Sequence, residues 1–198
     1  MKKVFLDFGF RYGEGFEKIN DYLQMDSTWE MIAYEPNTEI AVEASIEKLN
    51  APCKVEYRNQ AVWVYNGTIE FLVEDKRERY KGHQIPETEE GLFEGEASHI
   101  SILSSRNSNI CTKKVEVPCV DIKTILEEHK GKEIYIKADI EGAEFEIVKR
   151  IISENLCSDI KLMWIEWHPD DLGPEYESLR VELIDTLRKN GVRNELWN

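Results

Sequence analysis

The amino-acid sequence predicts a doubly wound α/β fold, with a Rossmann-like, mostly parallel sheet and an inserted region of β-hairpin and loop. Three observations support this prediction. Strand-like and helical patterns alternate through the first third of the chain, and the alternation resumes after residue 120. Such alternation demands parallel pairing through right-handed crossovers. Two later runs, "EIYIKAD" and "KLMWIEWHP", are almost continuously apolar, which is typical of strands buried on both faces.

The first third supplies three strands and two helices. Strands are predicted at "VFLDFG", "EMIAYEPN" and "KVEYRNQAVWV". A helix over residues 14–24 is indicated by Phe16, Ile19 and Leu23 at helical spacing, and a helix over 38–50 has a weaker apolar stripe. These five elements begin the parallel sheet.

The middle of the chain breaks the alternation. "NGTIEFLVE" begins with an Asn-Gly pair, which predicts a hairpin turn after the third strand. Residues 74–98 are highly charged, and "SHISIL" and "KVEVPCVD" then have the pattern of strands. The insertion over residues 74–113 is too long for a tight connection, so it is either functional or a solvated charged loop.

The last third completes the sheet. Helices are predicted over residues 121–129, 141–154 and 174–190, and the two apolar runs quoted above alternate with them. The final stretch, "VRNELWN", supplies one further strand at most. With 198 residues and no internal repeat, residues 1–198 are expected to form a single domain.

Composition bears on partners and location. The 39 acidic and 25 basic residues give a formal net charge of -14, which repels phosphate backbones, so no nucleic-acid partner is expected. The four cysteines contain no C-x-x-C pair and are interpreted as reduced thiols. No apolar run is long enough to span a bilayer, and the N-terminus does not resemble a signal peptide, so a cytoplasmic location is expected.

Polar residues collect where the predicted strands end. In an open α/β sheet, ligands bind outside the carboxyl ends of the strands, so these residues are candidates for a site. In chain order they are Asp7 and Gly9, then Glu35, Pro36 and Asn37, then Asn59, Gln60 and Ala61, then Lys137, Asp139, Glu141 and Gly142, and finally Glu166 and His168.

The turn after the first strand contains Gly9, Gly13 and Gly15, which leave the backbone open to a passing ligand. The spacing differs from the dinucleotide fingerprint G-x-G-x-x-G, which argues against a nicotinamide-dependent reductase. Asp7 beside the turn suits a cationic ligand, and Glu35 is placed to accept hydrogen bonds from two ribose hydroxyls. A cationic ligand with a ribose and no pyrophosphate describes S-adenosylmethionine.

Each of these residues also has a structural interpretation. The glycines can form a tight turn, and Glu35 can be a solvated strand end before Pro36. Asp139 can cap the following helix. The sequence leaves both interpretations open.

Several stretches resemble the FkbM family of class I S-adenosylmethionine-dependent methyltransferases. They are "FLDFG", "AYEPN", "NQAVW", "SHIS", "VPCVDIKTIL" and, most specifically, "IYIKADIEGAEFEIVKRI", within residues 4–169. Members mostly methylate hydroxyl groups of sugars and natural products, so the resemblance implies O-methyl transfer from S-adenosylmethionine. The cofactor-binding residues are then expected to be Asp7, Gly9, Gly13, Glu35, Asn37, Gln60 and Ala61.

The chain departs from the family pattern at two places. Phe10 and Arg11 stand where members often carry a small residue and an asparagine. The class I sheet usually closes with a hairpin of two strands, whereas this chain offers one. Its sheet edge is therefore either short or covered by a second copy or a neighbouring domain.

Two mechanisms fit an in-line displacement at the sulfonium methyl group. In the first, His168 or Asp139 is the general base and Lys137 steadies the developing oxyanion. In the second, Asp139, Glu166 and His168 hold a magnesium or manganese ion that binds and acidifies two neighbouring sugar hydroxyls.

The insertion over residues 74–113 is expected to bind the acceptor, a sugar that is free, nucleotide-linked or part of a glycan. Its polar and aromatic side chains suit a sugar, and they include Arg77, Arg79, Tyr80, Lys81, Ser98 and His99. The alternatives are a methyltransferase for a non-sugar small molecule and a non-catalytic cofactor-binding module.

Overall fold

A computed structural model describes residues 1–37, 42–74, 100–101, 111–169 and 172–197. Its central sheet contains six strands, all paired in parallel. They are β1 (Lys3–Phe8), β2 (Trp29–Tyr34), β3 (Lys54–Arg58), β8 (Glu133–Ala138), β9 (Ile160–Ile165) and β10 (Arg193–Leu196). The spatial order is β10-β9-β8-β1-β2-β3. The chain adds β2 and β3 on one side of β1 and then β8, β9 and β10 on the other side, so the order of strand addition reverses between β1 and β8. That reversal is the topological switch point of a doubly wound sheet.

Helices cover both faces of the sheet. They are α1 (Phe16–Leu23), α2 (Val42–Lys48), α3 (Ile122–Glu128), α4 (Glu144–Ser153) and α5 (Pro174–Lys189). The first two pack on one face through Phe16, Ile19 and Val42, and the other three contribute to a separate core on the opposite face. The predicted Rossmann-like α/β fold is confirmed. No helix in the described ranges is long and apolar enough to cross a membrane.

A second, smaller sheet lies beside the first. It contains β4 (Ala61–Trp63), β5 (Gly67–Glu74), β6 (Ile100–Ser101) and β7 (Cys111–Asp121) in the order β4-β7-β5-β6. The expectation of one continuous strand over residues 54–64 is wrong, because the chain leaves the central sheet after Arg58 and β4 pairs in parallel with β7. An alternating apolar pattern records burial but does not identify the partner strand.

The predicted Asn-Gly hairpin is also wrong. Strand β7 lies between β4 and β5, which therefore do not pair with each other. The Asn66 side chain instead makes two hydrogen bonds: its oxygen accepts the Asp121 backbone N–H at 2.9 Å, and its nitrogen donates to the Thr124 hydroxyl at 3.0 Å. These two bonds fix the junction between β7 and α3, whose first turn is capped by the Asp121 carboxylate.

One bidentate ion pair joins the far edge of the sheet to α3. The Arg58 guanidinium donates two hydrogen bonds, of 2.7 and 2.6 Å, to the two carboxylate oxygens of Glu128. It also donates to the Tyr34 hydroxyl at 3.0 Å. The hydrogen bonds from Arg58 lower the pKa of Glu128, although partial burial opposes the shift.

Replacing Glu128 by glutamine should lower the free energy of unfolding by about 0.5–1 kcal/mol at neutral pH, a value kept small because both side chains are partly exposed. Since folding lowers the pKa of Glu128, this stabilisation is complete above the unfolded pKa of about 4.3 and is lost as the pH falls through the folded value. Urea unfolding at neutral pH measures the loss in free energy of unfolding, and urea unfolding at acidic pH measures how much of that difference disappears.

The control is Glu70→Gln, which removes one contact with Lys114 between two well-exposed side chains. Its free energy of unfolding should change little. An equal loss in the two variants at neutral pH would contradict the special role of the Arg58 pair.

Candidate functional site

The candidate site lies at the carboxyl ends of β2, β1, β8 and β9, which are neighbours in the central sheet. Each of these strands delivers at least one ionisable residue at that edge or just beyond it. Those residues are Glu35 after β2, Asp7 in β1, Lys137 in β8 with Asp139 after it, and Glu166 and His168 after β9. The edge includes the topological switch point, where ligands of doubly wound proteins bind.

A buried ion pair between β1 and β8 forms the base of the site. Lys137 and Asp7 are register partners on these neighbouring strands, so their side chains share one face. The Lys137 ammonium lies 3.3 Å from an oxygen of Asp7 and 3.9 Å from an oxygen of Asp139. It donates a hydrogen bond of 3.2 Å to the Gly9 carbonyl. Burial alone would lower the pKa of Lys137, but the charges of Asp7 and Asp139 outweigh burial and raise it.

The position of Lys137 suits it to hold its neighbours in place. Its side chain is 1% exposed, and its ammonium contacts β1, the loop after β1 and the residue that follows β8. Asp139 is more accessible, at 22% exposure. The structure thus favours Lys137 as a positioning residue for Asp139, and the predicted contact of Lys137 with an oxyanion stays a prediction.

Contacts within the protein explain the glycines in the turn after β1. Gly9, Gly13 and Gly15 all have φ angles near +77°, a region that L side chains rarely adopt. A Cβ at Gly9 would overlap the Asp139 carbonyl oxygen, and a Cβ at Gly15 would overlap the Trp197 indole. Glycine is therefore needed here for contacts within the protein, and a ligand contact by the turn stays a prediction.

Glu35 joins the two loops that follow β1 and β2. It is 6% exposed, and its two carboxylate oxygens accept the backbone N–H groups of Arg11 and Asn37, each at 2.9 Å. Burial raises the pKa of Glu35, and these two hydrogen bonds oppose the shift. Each oxygen retains accepting capacity, because a carboxylate oxygen can accept two hydrogen bonds. The predicted ribose contact is compatible with this geometry.

Asn59 lies beside Glu35 and was not among the predicted cofactor residues. Its side-chain nitrogen donates to the Glu35 carbonyl at 3.1 Å and to the Tyr57 hydroxyl at 2.6 Å. Gln60 bends the chain by donating its N–H to the Arg58 carbonyl, and Ala61 starts β4 in the second sheet. Its position directly after a central strand places Asn59 among the predicted edge residues, and its hydrogen bond to the Glu35 carbonyl links it to the cofactor set.

His168 is held by a buried carboxylate. Glu144 has no exposed surface, and its two oxygens accept the backbone N–H groups of Ile140 and Gly142, each at 2.8 Å. One of these oxygens also lies 3.2 Å from Nδ1 of His168. Because an ionised carboxylate only accepts hydrogen bonds, Nδ1 is assigned as the donor, and Nε2 is then directed toward the other acidic groups.

The acidic groups around Nε2 include one that the predicted metal set lacks. Nε2 lies 3.8 Å from an oxygen of Glu141 and 3.8 Å from an oxygen of Glu166. Single ligand atoms of Asp139, Glu141 and His168 come within 4.8 Å of one another. Glu141 has φ +58°, a loop conformation that spacing in the sequence does not reveal.

Glu166 remains close to this cluster. Burial raises the pKa of the Glu166 carboxyl, and the charge of Asp139 adds to the shift while His168 opposes it. A carboxyl whose ionisation is disfavoured in this way can be stabilised by a cationic ligand. Most of the predicted acceptor region, residues 74–113, lies outside the described residues, including all six of its named side chains.

Comparison with known families matches residues 8–193 to the Methyltransferase FkbM domain. This match covers nearly the whole chain. The chain belongs to the FkbM methyltransferase family. Searches of curated proteins and of solved structures found no match.

Membership in the FkbM family supports a methyltransferase activity for this arrangement of residues. The matched region includes the loops that follow β1, β2, β8 and β9, where the candidate site lies. The FkbM domain thus places its glycine turn beside Asp139 and its histidine beside three acidic groups.

Gly9→Ala should lower the free energy of unfolding by more than about 3 kcal/mol, because a Cβ there meets backbone that cannot move aside. Gly131→Ala is the matched control, since Gly131 has φ +80° with no atom within 4 Å of its Cβ position. It should lose only about 1 kcal/mol, the cost of the left-handed conformation. Urea unfolding measures both variants, and equal losses would show that the contact with Asp139 is unimportant.

Proposed function

We propose that this FkbM domain transfers a methyl group from S-adenosylmethionine to a hydroxyl group of a sugar. The observation that carries the proposal is the histidine held by Glu144, with Nε2 directed toward acidic groups at the carboxyl ends of β8 and β9. A proton acceptor oriented by a hydrogen bond from its other ring nitrogen, at the ligand-binding edge, is what methylation of a weakly acidic alcohol needs.

The residues present fit S-adenosylmethionine. Glu35 keeps accepting capacity for ribose hydroxyls, and the acidic edge formed by Asp139, Glu141 and Glu166 attracts a cation. When bound, S-adenosylmethionine supplies an electrophilic methyl group on a sulfonium, whose sulfur keeps the electron pair of the broken carbon–sulfur bond. The cofactor set proposed from the sequence, Asp7, Gly9, Gly13, Glu35, Asn37, Gln60 and Ala61, is retained as part of this proposal, with Asn59 added.

In the first version of the mechanism, His168 accepts the proton of the acceptor hydroxyl at Nε2 as the oxygen bonds to the methyl carbon. Glu144 stabilises the imidazolium that results, because it accepts a hydrogen bond from Nδ1. Asp139 orients the hydroxyl or takes the proton itself, and Lys137 fixes Asp139 from the buried side.

In the second version, Asp139, Glu141 and His168, with Glu166 beside them, would hold a divalent cation of the magnesium or manganese type. The separations of their ligand atoms fit a shared ion, and carboxylate oxygens suit these metals. The ion would acidify a bound hydroxyl. The two versions are exclusive at His168, because Nε2 cannot hold a cation and accept a proton at the same moment.

The identity of the acceptor is inferred from the family and from the polar, aromatic composition of residues 74–113. A non-sugar small molecule and a non-catalytic cofactor module are the alternatives that experiment must exclude. The cytoplasmic location stays a prediction.

Calorimetric titration with S-adenosylhomocysteine tests the cofactor. The domain should bind it, and Glu35→Gln should weaken binding by about tenfold or more, since a charged acceptor of ribose hydroxyls is lost. The control is Glu56→Gln, an exposed carboxylate on the neighbouring strand β3. Absence of binding by the unaltered domain would refute the proposed cofactor, and equal affinities in both variants would refute the role of Glu35.

Methyl transfer to a panel of monosaccharides tests the proposed acceptor class and the role of Asp139. Asp139→Ala should lower kcat at least about 100-fold, because Asp139 either orients the hydroxyl or holds the cation. Glu146→Ala, an exposed carboxylate in the first turn of α4, should leave kcat near that of the unaltered domain. Normal turnover in Asp139→Ala would overturn both versions.

A chelator distinguishes the two versions. Loss of turnover in the presence of chelator, restored by magnesium or manganese, would favour the shared ion. Turnover unaffected by chelator would favour His168 or Asp139 as the base.

A further inference from the structure

The exposed edge of the central sheet at β10 has an unusual surface. Five large apolar side chains in the described residues are exposed, and three of them surround this edge: Tyr22 at 49%, Val181 at 53% and Leu196 at 54%. Tyr22 accepts a hydrogen bond from Arg193 on one face of the strand. Val181 and Leu196 line a groove between β10 and α5 on the other face. An unpaired strand flanked by exposed apolar groups favours association with another strand.

The backbone of β10 offers hydrogen-bonding groups to such a strand. The Trp197 N–H donates to the Ile165 carbonyl of β9. Because successive residues of a strand direct their backbone groups to opposite sides, those of Arg193 and Glu195 also face β9. The backbone groups of Asn194 and Leu196 then face outward, and no described strand pairs with them.

Side-chain charges select one pairing register. The register with β9 aligns Arg193 and Glu195 with Leu162 and Trp164, on the face that carries α1. Within one copy, Arg193 and Glu195 pair with each other at 2.8 Å. If two copies of β10 pair antiparallel with their two-fold axis at Asn194, these two ion pairs lie side by side, and Arg193 of each copy lies opposite Glu195 of the other. Centring the axis on Arg193 or on Glu195 would place like charges opposite each other, which destabilises a sheet.

The same register is consistent with the rest of the edge. It makes the outward-facing groups of Asn194 a hydrogen-bonded pair across the axis and brings Leu196 opposite Val192 of the second copy. On that face, Asp185 and Arg188 of α5 line the groove and pair with each other at 3.8 Å, so their opposite charges balance where a second copy would approach. A two-fold interface requires such self-complementary surfaces.

We propose that β10 and the adjoining side of α5 form the interface of a homodimer, in which two antiparallel β10 strands join the central sheets of both copies. The occupant of the edge is a second copy of this chain, because the charge pattern of the strand complements itself. Association covers Val181 and Leu196.

The interface has a consequence for the site. Trp197 follows β10 directly and packs against Gly15 at the start of α1. Its indole ring also lies 5.9 Å from the Lys137 ammonium. Dimer formation therefore fixes the strand that places Trp197 against the turn after β1.

Sedimentation over about a hundred-fold range of concentration tests the proposal, since a dimer dissociates on dilution. The unaltered chain should show a mass of twice 23.2 kDa. Arg193→Glu and Glu195→Arg should each raise the dimer dissociation constant on the order of tenfold, because each creates two like-charge pairs by symmetry. The double variant with both changes should recover the original dissociation constant.

Two further variants make the test independent of these charges. Lys114→Glu makes the same change in net charge as Arg193→Glu, but at an exposed position on β7, and should leave the dimer intact. Asn194→Pro removes an outward-facing N–H, a substitution that edge strands tolerate, and should abolish the dimer while the monomer remains folded. A chain that is monomeric at every concentration, or a dimer insensitive to the changes at Arg193, Glu195 and Asn194, would overturn the proposal. The mass measurement does not depend on methyl transfer, so failure of either proposal leaves the other standing.

Discussion

The structure around the site depends on the buried ammonium of Lys137. A charge withdrawn from water is tolerated only where opposite charges and acceptors surround it, and here Asp7, Asp139 and the Gly9 carbonyl do so. These groups belong to β1, to the segment after β8 and to the turn after β1. Removing the ammonium would leave Asp7 buried without its counter-charge, which typically costs about 3–5 kcal/mol. The pair thus holds the two strands at the switch point in one fixed arrangement.

The turn after β1 is held from several sides. Gly9 allows the Asp139 carbonyl to approach, Gly15 accommodates Trp197, and Glu35 binds the Arg11 N–H. Each contact is short or enclosed, so the turn has little freedom to adjust to a ligand. If S-adenosylmethionine binds this turn as proposed, a preorganised turn favours methyl transfer, because an in-line displacement requires the reacting atoms to be held within a narrow range of geometry.

His168, after β9, is held in place by a buried carboxylate rather than by an ion pair with Lys137. Glu144, the first residue of α4, accepts the backbone N–H groups of Ile140 and Gly142 in the loop after β8, and the same carboxylate orients His168. Glu144 therefore couples the loop after β8 to the segment after β9. Its burial keeps water from competing for the Nδ1 hydrogen bond, so the direction of Nε2 is determined by the fold.

The sequence by itself determined the helices, most strands and the edge at which the candidate site residues gather, because apolar periodicity and strand ends are local properties. It predicted Asp7, Glu35, Lys137, Asp139 and His168 at that edge, where the structure places them. Only the tertiary structure decided that β4 leaves the central sheet, that Lys137 is enclosed and that Glu141 joins His168. Strand partners, burial and the direction of a side chain in a left-handed loop residue depend on contacts between distant segments, which residue spacing does not encode.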